Sequence, residues 1–101
     1  MAVKVDINNN ILTLYLVGDI DHHTAKEIRE IADLNIDTYS PKILIIDFKE
    51  VAFMDTSGIG LVMGRYKLIK SLGGEVKIIN LSPYLKRIMS LSGLSKLVKI
   101  N

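Results

Sequence analysis

The chain opens with two apolar runs rich in β-branched residues, Val3 to Ile7 and Ile11 to Val17. Three asparagines, Asn8 to Asn10, separate these runs, and asparagine tolerates the left-handed backbone angles of a tight turn. This alternation of apolar run, turn and apolar run predicts an antiparallel hairpin at the start of the fold.

After the hairpin, apolar residues recur every three or four positions, which predicts an amphipathic helix from about Thr24 to Ile36. Thr24 and Glu27 match a T-x-x-E capping box, and Asp21 is an alternative cap for the same helix. Either cap places a polar loop at the entry to this helix.

The rest of the chain alternates between strand and helix patterns. The unbroken apolar run 43–46 predicts a strand over 42–48 that is central in the sheet and buried on both faces. A second helix begins with Ser57 at or near its N-cap and stops at Gly73. The remaining elements are a strand over 75–80, a helix capped by Ser82 with Pro83 at its first position, and a last strand over 97–100.

This order, β-β-α-β-α-β-α-β, predicts an α/β fold: a mixed, largely parallel β-sheet with an N-terminal antiparallel strand and helices packed against it. The composition is typical of a compact globular chain, with 49% hydrophobic residues, 24% charged residues and 2 prolines. We expect a single domain over residues 1–101.

Composition and patterning also exclude several classes of protein. No apolar run approaches the roughly 18 residues that cross a bilayer, and Met1 to Asn10 lacks the order of a signal peptide. With 0 cysteines the chain has no disulfide, thiolate metal site or cysteine nucleophile. We therefore expect a cytoplasmic protein that does not act at a membrane.

The net charge of +2 is unevenly distributed, because residues 1–64 carry −5 and residues 65–101 carry +7. Five basic residues could form a nucleic-acid surface, but few aromatic residues lie among them and no known reader motif is present. We interpret them as solvated helix faces and expect no direct binding of nucleic acid. They are Arg65, Lys67, Lys70, Lys86 and Arg87.

The segment 53–60, Phe-Met-Asp-Thr-Ser-Gly-Ile-Gly, places hydroxyl residues and two glycines at a strand-to-helix turn. It has neither a Gly-Lys-Ser/Thr ending nor a G-x-G-x-x-G order, so it is not a nucleotide-binding loop. It is not a G-x-S-x-G nucleophile elbow, and both histidines precede Ser57 in the chain. We therefore expect no catalytic residue in this turn.

Ser57 fits the requirements of a phosphorylation site. A helix start offers free N–H groups and a favourable dipole to a phosphate. The added charge of about −1.5 to −2 would change a contact surface while leaving the fold intact. A structural role of Ser57 as helix cap is compatible with this one.

A second candidate is the segment 19–24, Asp-Ile-Asp-His-His-Thr. Asp19, Asp21, His22 and His23 are metal-ligand types and would support a hydrolase or a metal-dependent enzyme. Adjacent histidine side chains usually diverge, however, and a loop that caps the next helix explains the same residues. In that interpretation Asp21 is a charged contact for an arginine elsewhere.

Three segments carry a family resemblance: 18–25 (GDIDHHTA), 53–60 (FMDTSGIG) and 64–67 (GRYK). Residues 73–75 and 82–94 extend it over nearly the whole chain. These segments resemble the anti-sigma factor antagonists of the STAS domain group, in particular the stage II sporulation protein AA group. The resemblance implies a STAS-type fold.

The resemblance also implies a partner-switching cycle in sporulation. The unphosphorylated protein would bind an anti-sigma factor that is also a serine kinase, and so free a sigma factor for transcription. Phosphorylation of Ser57 would prevent binding until a metal-dependent serine phosphatase removes the phosphate. Asp55, Thr56 and Gly58 would shape that site, with Asp21 on the docking surface. ATP and magnesium would belong to the kinase, so this protein would be no enzyme and need no cofactor.

The chain departs from the family pattern in two places. Thr56 stands where a second serine is common, a change that keeps the hydroxyl group. Family members often continue past the last strand into another helix, whereas this chain stops at Asn101. The family also allows an alternative function, a STAS docking module of a stress-signalling complex or a transporter.

Overall fold

The computed structural model describes residues 2–101, which form five strands and three α-helices. The helices cover one face of a single sheet, and a short 3₁₀ turn precedes the last strand. In chain order the elements are β1 (Val3–Asn8), β2 (Ile11–Val17), α1 (His22–Tyr39), β3 (Ile43–Glu50), α2 (Thr56–Ser71), β4 (Glu75–Ile79), α3 (Pro83–Leu91), the 3₁₀ turn (Leu94–Lys96) and β5 (Lys99–Ile100).

The strands follow one another across the sheet in the order β1-β2-β3-β4-β5. β1 and β2 pair antiparallel, and the other three pairs are parallel. The predicted α/β class, the opening hairpin and the central position of β3 are therefore confirmed. Parallel neighbours place the carboxyl ends of β2 and β3 at the same edge of the sheet.

The strand register collects the largest apolar side chains on one face. Leu14 pairs with Ile46, which pairs with Ile78, and each of these three side chains is at most 1% exposed. Side chains of α1 and α2 join the same core. Ile43 and Ile45 point to the other face and are only half-buried, so the prediction that β3 is buried on both faces was wrong.

Helix α1 begins earlier and ends later than its apolar pattern predicted. Asp21 is its N-cap, and Asp21 and Thr24 form the capping box, whereas Glu27 accepts a hydrogen bond from the backbone of Ala2 at 3.2 Å. The helix ends where Ser40 adopts a left-handed conformation with φ of 43°. The predicted Thr24–Glu27 capping box was therefore wrong, and the alternative cap was right.

Helix α2 begins at Thr56, after the loop 51–55 that follows β3, and Asp55 is its N-cap. Ser57 is therefore the second helical residue and lies near the cap, not at it. Among residues 2–101, none of the helices is both long enough and apolar enough to span a bilayer.

Candidate functional site

A short parallel bridge between Ile20 and Met54 brings the starts of α1 and α2 together. The Ile20 N–H donates to the Phe53 carbonyl oxygen at 3.0 Å, and the Asp55 N–H donates to the Ile20 carbonyl oxygen at 3.0 Å. Asp21 and Asp55 each follow one of the bridged residues, so the two helix caps lie in adjacent loops. This edge lies beyond the carboxyl ends of β2 and β3, where parallel sheets commonly place their binding sites.

Asp21 presents a charged group at this edge. Its Oδ1 accepts hydrogen bonds from the backbone N–H groups of His23 at 2.9 Å and Thr24 at 3.0 Å, and the Asp21 N–H donates to Thr24 Oγ1 at 2.9 Å. The Thr24 N–H, and after it the His23 N–H, lowers the pKa of the Asp21 carboxyl. The carboxylate is therefore ionised at neutral pH and remains exposed.

Asp55 performs the equivalent task for α2. Its Oδ1 accepts a hydrogen bond from the Ser57 backbone N–H at 2.7 Å. The Ser57 hydroxyl is consequently not needed as the cap, and the Ser57 side chain lies half-buried beside the exposed Asp55 and Thr56. Ser57 thus lies half-buried at the start of a helix that Asp55 already caps.

Gly58 differs from the other predicted site residues because it is buried. A Cβ built on Gly58 would lie 2.6 Å from Met54 Sδ, so the missing side chain lets the first turn of α2 pack against Met54. The structure therefore brings all five predicted site residues to one edge, but leaves Gly58 no side chain to offer a partner. Asp21, Asp55, Thr56, Ser57 and Gly58 are these residues.

A groove of about 430 Å³ runs from Ser57 between α1 and α2. One face of each helix forms a wall of the groove, and four of the lining residues are small: Ala25, Ser57, Gly60 and Gly64. Of its lining residues within the described part of the chain, three carry a formal positive charge and none carries a negative charge. The lining consists of His22, Ala25, Lys26 and Arg29 from α1, and Ser57, Gly60, Leu61, Gly64 and Arg65 from α2.

Arg65 lies at the base of this groove and is only 7% exposed, so its assignment to a solvated helix face was wrong. Its Nε is 2.8 Å from Asp33 Oδ1, although the two groups are not aligned for a hydrogen bond, and Nη1 donates to the Leu61 carbonyl oxygen at 3.4 Å. Burial lowers the pKa of Arg65, Asp33 opposes this, and Arg29 lowers the pKa further. The repulsion between the two guanidinium groups reflects the excess of positive charge in the groove.

Three further side chains at this edge were not singled out from the sequence. Phe53 is 48% exposed immediately before the Asp55 turn, and exposed aromatic side chains are frequent in protein interfaces. Lys26 and Arg29 point into the groove beside Ser57. Lys26 and Arg29 are three residues apart on the predicted helix and so share a face, but nothing in the sequence paired that face with α2.

The histidines at the start of α1 lie against each other, with ring centroids of His22 and His23 4.0 Å apart and tilted by 36°. Across residues 2–101, no group of three or more His, Cys, Asp or Glu side chains is arranged to hold a metal ion. Asp19, Asp21, His22 and His23 therefore do not form such a group in this structure.

Known proteins are similar to this chain in sequence, and solved structures share its architecture. An anti-sigma F factor antagonist of Paenibacillus polymyxa is 33% identical over 99% of this chain and 86% of its own length. An anti-sigma-B factor antagonist of Bacillus subtilis is 33% identical over 100% of this chain and 93% of its own length.

Two solved structures of SpoIIAA resemble this chain: the anti-sigma factor antagonist in its unphosphorylated form, and the Bacillus cell fate determinant in its phosphorylated form. The unphosphorylated form superposes with a TM-score of 0.86 at 28% identity, over 99% of this chain and 88% of that one. The phosphorylated form superposes with a TM-score of 0.79 at 28% identity, over 99% and 91%. The sequence pattern of the STAS domain matches residues 2–101, and the chain therefore belongs to the STAS domain family.

Proposed function

We propose that this protein is an anti-sigma factor antagonist whose binding is controlled by phosphorylation of Ser57. The observation that carries the proposal is the position of Ser57: it is half-buried at the second residue of α2, with its backbone N–H already bound by Asp55 at 2.7 Å. Phosphorylation of the hydroxyl then leaves the existing helix cap in place. The names of the curated relatives support the antagonist role.

The docking surface in this proposal comprises Asp21, Phe53, Asp55, Thr56 and Ser57. Two exposed carboxylates offer charged contacts to basic groups of an anti-sigma factor, and Phe53 offers an aromatic contact between the two helix starts. A phosphate at Ser57 adds about −1.5 to −2 charge to this surface. The bulk of the phosphate, and the cost of removing water from its charge in a close contact, then weaken binding.

The partner in this cycle is an anti-sigma factor that also acts as a serine kinase, with ATP and magnesium bound to the kinase. A metal-dependent serine phosphatase completes the cycle by removing the phosphate. The protein itself then acts by binding rather than catalysis, in the cytoplasm, and regulates sigma-factor-dependent transcription in sporulation.

The test is intact-mass spectrometry of the protein after incubation with its anti-sigma factor, magnesium and ATP. We expect one added phosphate on the native chain and none on Ser57→Ala. In a binding assay with the same anti-sigma factor, Ser57→Ala should still bind and Ser57→Asp should lose at least tenfold in affinity.

Ser95→Asp is the matched control, because it adds the same charge to an exposed serine in the 3₁₀ turn, remote from the helix starts. It should bind like the native chain. If neither the native chain nor Ser57→Ala gains a phosphate and both aspartate variants bind equally, the phosphorylation switch is wrong. Docking in a larger complex or on a transporter then becomes the better interpretation.

A further inference from the structure

The groove between α1 and α2 opens directly beside the Ser57 hydroxyl, and its walls are basic. We propose that this groove is the receptor for the phosphate of phosphorylated Ser57, held by Lys26 and Arg29 from α1. The inference rests on the proposed phosphorylation of Ser57. It assigns to the groove a binding function for a phosphate monoester within the same chain.

The helix start itself is a poor place for this phosphate. The Asp55 carboxylate already accepts the Ser57 N–H at 2.7 Å, and the Gly58 N–H donates to the Asp55 carbonyl oxygen at 3.0 Å. A phosphate that turned toward these N–H groups would meet a carboxylate in their place. Turning away from Asp55 leads it toward the groove, because Ser57 is itself a lining residue.

The groove offers what a phosphate requires. Lys26 and Arg29 are exposed residues on the α1 wall and can move their charged ends to the phosphate. Arg65 is only 7% exposed and fixes a third positive charge at the base of the groove. Asp33 pairs with Arg65 from outside the groove lining, so the wall nearest Ser57 keeps its excess positive charge.

Two glycines keep the space for the phosphate open. A Cβ built on Gly60 or Gly64 would meet nothing within 4 Å, and both residues line the groove. Since the phosphate would bridge α1 and α2, we expect modification of Ser57 to stabilise the packing of these helices. The bound phosphate must leave the groove before a phosphatase can reach it.

The test uses protein with phosphoserine built in at position 57 during synthesis, so it does not depend on any kinase. Phosphorus NMR then follows the second ionisation of the phosphate between pH 4 and 8. Free phosphoserine has a second pKa of about 6, and nearby cations favour the dianion. We expect this pKa to be lower by at least about 0.5 in the native chain, and to return toward the free value in Lys26→Gln/Arg29→Gln.

Lys67→Gln/Lys70→Gln is the matched control, because it removes the same charge from exposed α2 positions outside the groove. His22, Asp21 and Asp55 also lie near the phosphate and are retained in every variant. A phosphate pKa at the free value in the native chain, or an equal change in both double variants, overturns the inference. If the phosphate pKa is lowered as expected but the kinase adds no phosphate to the native chain, the proposed function is refuted and the inference about the groove stands.

Discussion

Helix α2 contains three glycines whose replacement by alanine should have opposite effects on stability. Gly60 and Gly64 lie in the helix interior, and an added Cβ would meet nothing within 4 Å at either position. Gly58 is buried, and an added Cβ would lie 2.6 Å from Met54 Sδ and 3.2 Å from both Met54 Cβ and Cγ. Replacement by alanine therefore tests for free space at Gly60 and Gly64, and for close packing at Gly58.

The magnitudes follow from helix propensity and packing. Alanine is favoured over glycine in a helix interior by about 0.5–1 kcal/mol, so Gly60→Ala and Gly64→Ala should each raise the free energy of unfolding by that amount. For a domain of this size this corresponds to a rise of roughly 2–8 °C in Tm. Gly58→Ala should lower stability by about 1–3 kcal/mol, because Met54 is 2% exposed and its whole side chain would have to move.

Urea denaturation followed by circular dichroism, together with thermal denaturation, measures all three variants against the native chain. The slope of unfolding free energy against urea should stay constant, so that the midpoint alone reports stability. A stabilising Gly58→Ala, or a destabilising Gly60→Ala, would refute the geometric reasoning on this helix face.

Three other predictions address the stability of the fold. Gly74→Ala should destabilise by about 1–3 kcal/mol in urea denaturation, because a Cβ there would lie 2.7 Å from the backbone carbonyl oxygen just before β3. The hydrogen bond from the Thr24 N–H lowers the pKa of the Asp21 carboxyl below its ordinary value of 3.8. The contribution of Asp21 to the free energy of unfolding should therefore be fully present above pH 3.8 and be lost as the pH falls below it, and Asp21→Asn should flatten this part of a stability–pH profile. Asp33→Asn should cost about 1–3 kcal/mol by leaving the buried Arg65 charge unpaired, and adding Arg65→Met should recover much of that loss in thermal denaturation.

Periodicity predicted the elements of this fold because each one buries a regular apolar pattern. The hairpin register follows from the asparagine turn, and the parallel strands follow from the intervening helices. The face on which helices pack was less predictable, because Ile43 and Ile45 look as apolar as their buried neighbours. A run of β-branched residues does not reveal whether one or both faces are covered.

The sequence allowed the site residues of each loop to be predicted, but not that the two loops lie side by side. Ser57 stands out because hydroxyl and glycine residues meet at a helix start, whereas Asp55 was expected in the site only through the family resemblance. The bridge between Ile20 and Met54, which sets Asp21 beside them, depends on tertiary pairing. Arg65 was misplaced for the same reason, since only the packing of α1 on α2 buries it beside Asp33.

In the proposed switch, different residues at the start of α2 serve stability and signalling. Asp55 supplies the cap, so the Ser57 hydroxyl contributes nothing that phosphorylation would remove. Gly60 and Gly64 occupy positions where alanine would fit and would strengthen the helix, yet their absence of side chains leaves the basic groove open next to Ser57. Helix α2 is thus less stable than it could be, but the Asp55 carboxylate fixes its first turn. This combination suits a switch that changes surface charge and leaves the fold unchanged.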